Sequence, residues 1–192
     1  MTSFVQAAQA DLNRYLEGNA RSLHSVLTAV RRNEGLQATL VYRFGRMLSS
    51  NKRVVYLWPL LGLGWCIYAL AAWFMRRGYG INVALSADIG AGFWIGHFGG
   101  IEVINCRLAE RCSVGQQTKV GDARQRDGPT IGESVWIGAH ARILGPVTVG
   151  SHATIAPGAH VKKNVPGRSL IVGNPARVIS RCYDNSRILP GL

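Results

Sequence analysis

From Ile89 onward an aliphatic residue recurs every six positions: Ile89, Ile95, Ile101, then, after one extra residue, Leu108, Val114 and Val120. A polar insertion from Asp122 to Thr130 interrupts the series, which resumes at Ile131, Ile137, Ile143, Val149, Ile155 and Val161. All twelve sites are Ile, Leu or Val, and glycine follows at seven of them. In the second half the fifth place is always small or β-branched: Val135, Ala141, Val147, Ala153, Ala159 and Val165. The first half departs there, with Phe93, Gly99 and Asn105. A period of six matches neither a helix nor simple strand alternation. It predicts a β-solenoid in which each hexapeptide forms one short strand and one corner of a triangular prism. The aliphatic side chains then stack inward from coil to coil, burying a column that no single repeat could bury. Twelve hexapeptides at three per coil predict four coils.

The first eighty residues follow a helical rhythm. Leu12, Tyr15, Leu16, Leu23, Val26, Leu27 and Val30 recur at three- and four-residue steps, predicting an amphipathic helix over 4–30. A second helix over about 36–49 carries Leu36, Leu40, Val41, Phe44, Met47 and Leu48 on one broad face. Val54 to Met75 is a run of 22 uncharged residues bracketed by Lys52–Arg53 and Arg76–Arg77. As a helix it reaches roughly 33 Å, enough to cross a hydrocarbon core. Both flanks are basic, so charge assigns no direction, and Pro59, Gly62 and Gly64 weaken a straight span. Attachment in the plane of the inner membrane surface is the reading favoured here, with Trp58, Trp65 and Trp73 at the interface. A spanning helix and a helix buried between subunits are the alternatives. Three regions follow: a helical part over 1–80, a β-helix over 81–179 and a tail over 180–192.

Charge and cysteine content refine the picture modestly. The chain carries 22 basic and 10 acidic side chains, with the excess concentrated before residue 80. Such a balance favours anionic partners. No zinc finger, heptad-linked basic helix or aromatic RNA-binding motif accompanies it, which excludes the common nucleic-acid modules. Cys66, Cys106, Cys112 and Cys182 follow no zinc or disulfide spacing and read as reduced thiols of a cytoplasmic protein. No secretory signal is visible in the first thirty residues.

The stretch from about Asn82 to Ile179 resembles the hexapeptide-repeat acyltransferases. The segment Ile95-Gly-His-Phe-Gly-Gly-Ile-Glu-Val-Ile104, with helices before it, resembles the serine acetyltransferase-like branch. Within that branch, Leu40-Val-Tyr-Arg-Phe44 and the apolar stretch after it resemble acetyltransferases of bacterial exopolysaccharide biosynthesis, the colanic acid type. Gly173-Asn-Pro-Ala-Arg-Val-Ile179 is similar to a closing motif common in the superfamily. The resemblance implies an all-β left-handed parallel β-helix preceded by N-terminal α-helices, a homotrimer, acetyl-CoA as co-substrate, no metal, and His97 as catalytic base. Imidazole suits that role, because a hydroxyl attacking a thioester must lose its proton as the bond forms. His97 is the third residue of its hexapeptide; Gln116, Ala139 and Pro157 hold the same place in later coils and predict a shallow column above it. By the resemblance, small residues such as Ala139 and Ala156 line the pantetheine track. A backbone N–H near Gly121 is a candidate oxyanion donor. Lys162, Lys163 and Arg177 are assigned to the CoA phosphates near the top of the track.

Two departures from serine acetyltransferases shape the expected acceptor. Where those enzymes carry an acidic residue that orients the histidine, this chain has Asn82, with Glu102 as the alternative. Their second histidine, in the inserted loop, is also missing from Arg124-Gln-Arg-Asp-Gly-Pro129. These differences point away from serine and toward a sugar hydroxyl on a nucleotide- or lipid-linked saccharide, with Arg124 and Arg126 meeting an acidic group. Serine or another small acceptor is the alternative, and a non-catalytic membrane-docked scaffold is a third reading. His140, His152 and His160 fall at hexapeptide places that do not converge, which disfavours a zinc site.

Overall fold

The computed structural model describes residues 4–16, 22–50, 58–97, 99–125 and 127–189. Four helices, α1 (Phe4–Asn13), α2 (Leu23–Arg32), α3 (Glu34–Ser50) and α4 (Trp58–Gly78), precede fifteen short strands. The single helix expected over 4–30 is therefore two. Ser22 stands in extended backbone (φ −73°, ψ 148°), and its hydroxyl accepts from the Ser25 N–H, starting α2 afresh. α4 occupies most of the apolar stretch; residues 54–57 lie outside the described residues. Pro59 falls in the first turn of α4, where a missing N–H costs no hydrogen bond. The glycines serve close packing rather than a break. A Cβ on Gly64 would lie 3.0 Å from Leu48 of α3, and one on Gly45 of α3 would lie 2.5 Å from Tyr68 of α4. The outer face of α4 leaves Leu63, Ile67, Leu70, Trp73 and Phe74 exposed. Among the described residues no helix is long and apolar enough to cross a membrane.

The strands wind into a left-handed parallel β-helix. Its first sheet stacks β1 (Ile81–Val83), β4 (Ile101–Val103), β7 (Lys119–Val120), β10 (Arg142–Ile143) and β13 (His160–Val161). The second stacks β2 (Asp88–Ile89), β5 (Arg107–Leu108), β8 (Thr130–Ile131) and β11 (Thr148–Val149). The third stacks β3 (Trp94–Ile95), β6 (Ser113–Val114), β9 (Trp136–Ile137), β12 (Thr154–Ile155), β14 (Leu170–Val172) and β15 (Arg177–Ser180). Every aliphatic of the six-residue series ends or lies within one of these strands, and each is at most 5% exposed. The stack exceeds the twelve repeats. β1 precedes them, and beyond them Val165 bridges to Val149 while β14 pairs with β12. Corners between strands use left-handed backbone at the third place after the aliphatic, as at Gly92, Arg111, Gln117, Ser134, His140, His152, Gly158 and Arg168.

Among the described residues no strand lies beneath β2 and β3, so their lower edges present backbone groups outside the ladder. Side chains of the N-terminal region take those groups up. Tyr42 of α3 donates to the Ala87 carbonyl and accepts from the Ile89 N–H. Arg43 donates to the carbonyls of Ile89 and Gly90 and Arg14 to that of Gly92; Arg14 also reaches the Cys112 carbonyl in the coil above, which the Trp94 N–H already engages. Asp11 of α1 accepts from the Phe93 N–H, and its carboxylate holds Arg43 in a two-pronged pair at 2.8 and 3.2 Å. Both partners are buried, with the Asp11 side chain fully so. Charge-assisted bonds to carboxylate and carbonyls offset the desolvation of this pair.

Candidate active site

His97 follows β3 at the corner between the third and first sheets. Its φ of 60° is left-handed at the second place after the aliphatic, one place earlier than at most other corners. Gly99 (φ 102°) and Gly100 (φ 65°) continue the turn in conformations that favour glycine. The turn is tied from outside: Gly99 N–H donates to the Tyr79 carbonyl and Ile101 N–H to that of Gly80. The imidazole is exposed and makes no hydrogen bond among the described residues. It is open to a ligand.

Strand register places the column above His97. Ile95 aligns with Val114, Val114 with Ile137, Ile137 with Ile155 and Ile155 with Ile171. Two residues on from each, His97, Gln116, Ala139, Pro157 and Gly173 stand over one another along this corner. Ala156 lies one residue earlier, and its N–H is bonded to the Ile171 carbonyl. The side chain of Gln117 leans down onto Gly99 and Gly100, where an added Cβ on Gly100 would collide with its amide. The sequence reading missed Gln117, whose signal was its place directly above the glycine pair.

Several expectations shift. Asn82 and Glu102 do fall side by side, since β1 and β4 pair Asn82 with Glu102, and β4 and β7 pair Glu102 with Lys119. Glu102, however, is held by the Lys119 ammonium at 3.0 Å, and neither Asn82 nor Glu102 bonds to His97. Lys119 was not anticipated, although its place just before Val120 puts it in that row. The Gly121 N–H is spent on the Ile143 carbonyl at 2.9 Å within the ladder, so it is not an available oxyanion donor. Lys162 and Lys163 follow β13 and so sit at the far end of the first sheet, not on the His97 column. There they join Arg177 of β15 around a cleft of about 410 Å³ that also includes His160 and Pro175. The three cations stand together there, at the corner next to the one expected.

The insertion leaves the same corner as the lysines. Gly128 packs against the Asn105 carbonyl, and the Asn105 amide donates to the Gln125 carbonyl. Arg124 is exposed, its backbone N–H bonded to the Asp122 carboxylate; Arg126 lies outside the described residues. Within one chain, then, His97 and the loop occupy opposite ends of the first sheet. His140, His152 and His160 stay on separate corners and strands, and among the described residues no group of three or more His, Cys, Asp or Glu side chains is gathered as for a metal. All four cysteines are unpaired. Burial pushes the Cys106 thiol up to about 12 and the Cys112 thiol up to about 11, which removes both as nucleophiles.

Comparison with known proteins bears on these features. Residues 128–163 match the family model described as bacterial transferase hexapeptide (six repeats). The serine acetyltransferase of Bacillus pumilus is 35% identical over 104 residues, covering 52% of this chain and 48% of that protein. That of Bacillus licheniformis is 31% identical over 149 residues, covering 76% of this chain and 64% of the relative. Among solved structures, soybean serine acetyltransferase superposes with a TM-score of 0.73 at 27% identity, covering 92% of this chain and 69% of that one. The chain spans under half the length of some curated relatives, such as 30% for serine acetyltransferase 4 of Arabidopsis thaliana. These findings overturn the exopolysaccharide assignment drawn from Leu40–Phe44, and with it the saccharide acceptor and the membrane-surface partner: the matched proteins carry the name of serine, and nothing in them points to a lipid surface. In sequence and in fold, this hexapeptide β-helix with its helical N-terminal region is similar to the serine acetyltransferases.

Proposed function

We propose that this protein is an acetyl-CoA-dependent O-acetyltransferase of the serine acetyltransferase type, with His97 as general base. The hydroxyl of serine gives its proton to the His97 imidazole as its oxygen attacks the thioester carbonyl. The tetrahedral intermediate then collapses, expelling the CoA thiolate, which takes the proton back from the imidazolium. O-Acetylserine and CoA leave, and no covalent acyl-enzyme is formed. The observation that carries this reading is the exposed imidazole, without a hydrogen bond among the described residues, on a glycine-rich corner at the foot of an open column. It is supported by likeness to relatives that include a soybean serine acetyltransferase complexed with serine, 26% identical with a TM-score of 0.72.

The remaining roles follow from charge and place. Lys162, Lys163 and Arg177 would hold CoA phosphates, where cations gain most from charge-assisted bonds. Ala139 and Ala156 would line the pantetheine arm. Arg124 would pair with the carboxylate of the acceptor, a task a guanidinium performs without the loop histidine. Because the loop and His97 stand at opposite ends of one sheet face, a site using both is completed by a second copy, and a homotrimer closes such contacts about one axis. Purified protein given acetyl-CoA and serine should release free CoA thiol together with O-acetylserine. Release that does not depend on serine would refute the acceptor.

A further inference from the structure

The acidic group that would orient His97 is missing, and the nearest carboxylate row is committed to Lys119. The strand that leads into the histidine turn is held from beneath. The hydroxyl of Tyr15, just beyond α1, accepts from the Ile95 N–H at 2.7 Å and donates to the Ile95 carbonyl at 3.1 Å. One phenol thus supplies both bonds that a strand below β3 would have made. Its ring also stacks on Trp94, with centroids 6.1 Å apart and planes 27° from parallel. The Trp94 indole in turn lies over Gly96, where an added Cβ would collide with the ring. Beneath β3, Gly35 of α3 approaches so closely that a Cβ there would meet Ile95.

We propose that Tyr15 is a positioning residue for His97, fixing β3 and the Trp94 ring so that the left-handed turn after Gly96 has one backbone path. Left-handed backbone at a residue other than glycine persists only where its surroundings over-determine it. On the far side of the turn main-chain bonds to Tyr79 and Gly80 do this; on the near side the Val114 carbonyl holds the Gly96 N–H from above, and Tyr15 holds Ile95 and the Trp94 ring from below. Burial keeps the phenol protonated through the working range, so it remains both donor and acceptor. The inference rests on the general-base reading of His97 given above.

The test compares wild type with Tyr15→Phe, and with Trp94→Phe as a second variant that keeps both Tyr15 bonds but uncovers Gly96. Tyr15→Phe should lower kcat by about 10- to 100-fold, the scale expected for a misplaced catalytic group. KM for acetyl-CoA should stay near its wild-type value, because the cations at the other corner are untouched. Exchange of the Ile95 amide should accelerate, and the NMR resonances of the His97 ring should shift. Trp94→Phe should lower kcat in the same way with the Ile95 amide still protected, which keeps the test decisive if Tyr15→Phe folds poorly. Wild-type kcat with an unshifted His97 ring in either folded variant would overturn the proposal. If the wild-type protein itself transfers no acetyl group to serine, the enzymatic reading fails separately, and the His97 resonances alone decide whether Tyr15 positions the ring.

Discussion

At the lower end of the β-helix the edges of β2 and β3 are closed by side chains from the helical region, whereas at the upper end β14 is closed by main chain, the antiparallel β15 folding back along it. The lower closure depends on particular atoms: Asp11, Arg14, Tyr15, Tyr42 and Arg43 each meet a named carbonyl or N–H. The upper closure depends on backbone, which almost any sequence supplies; the tail after β15 reaches back to lower coils, where the Asn185 amide donates to the Ser134 and Ala153 carbonyls at 2.8 and 3.5 Å. Edge closure by side chains is more vulnerable to substitution, and it lies directly under His97. The helical region is thus part of the site's foundation.

This difference can be broken from either end. Asp11→Ala leaves Arg43 buried without its partner and the Phe93 N–H unsatisfied, and should cost about 3–5 kcal/mol. Asn185→Ala removes two neutral bonds, to the Ser134 and Ala153 carbonyls, and should cost less, about 1–3 kcal/mol. Urea unfolding of the two variants checks the ordering; equal losses would erase the contrast. A separate effect concerns alkaline pH. Folding holds the Cys106 and Cys112 thiols neutral, up to about 12 and about 11 against an ordinary 9.0. Folded values raised in this way leave stability intact below pH 9 and remove it progressively between 9 and about 11 to 12, because only the unfolded thiols ionise in that window. The urea midpoint should fall over that range, and less steeply in Cys112→Ala.

The β-helix was legible because its signal is periodic. Each of the aliphatics from Ile89 to Val161 is read six residues from its neighbour, apart from the seven-residue step to Leu108 and the insertion, and a burial rule that simple survives without coordinates. The corner that carries His97 was legible through the glycines around it, while the role given to His97 came from the family its motif resembles. The lower edge was not. Nothing near Tyr15 in sequence announces that its hydroxyl will meet Ile95, eighty residues away. The helical pattern gave Tyr15 an apolar role, which its ring does fill against Trp94, but the polar tip answers to a non-local edge. Lys162 and Lys163 were misplaced although counting suffices: they follow Val161 of the twelfth hexapeptide, one corner on from the second, fifth, eighth and eleventh, which carry the His97 column. The acceptor was misread because Asn82 and the histidine-free loop were weighed as losses, while the surrounding likeness to serine acetyltransferases extends over three quarters of the chain.

The most direct measurement is the rate of acetyl transfer from acetyl-CoA to serine by His97→Ala, beside wild type, with oligomeric state and urea midpoint recorded for both. His97 is exposed and makes no hydrogen bond among the described residues, so its removal should leave assembly and stability unchanged while kcat falls by about 10²- to 10⁴-fold. A well-assembled variant that turns over at the wild-type rate would contradict the general-base account.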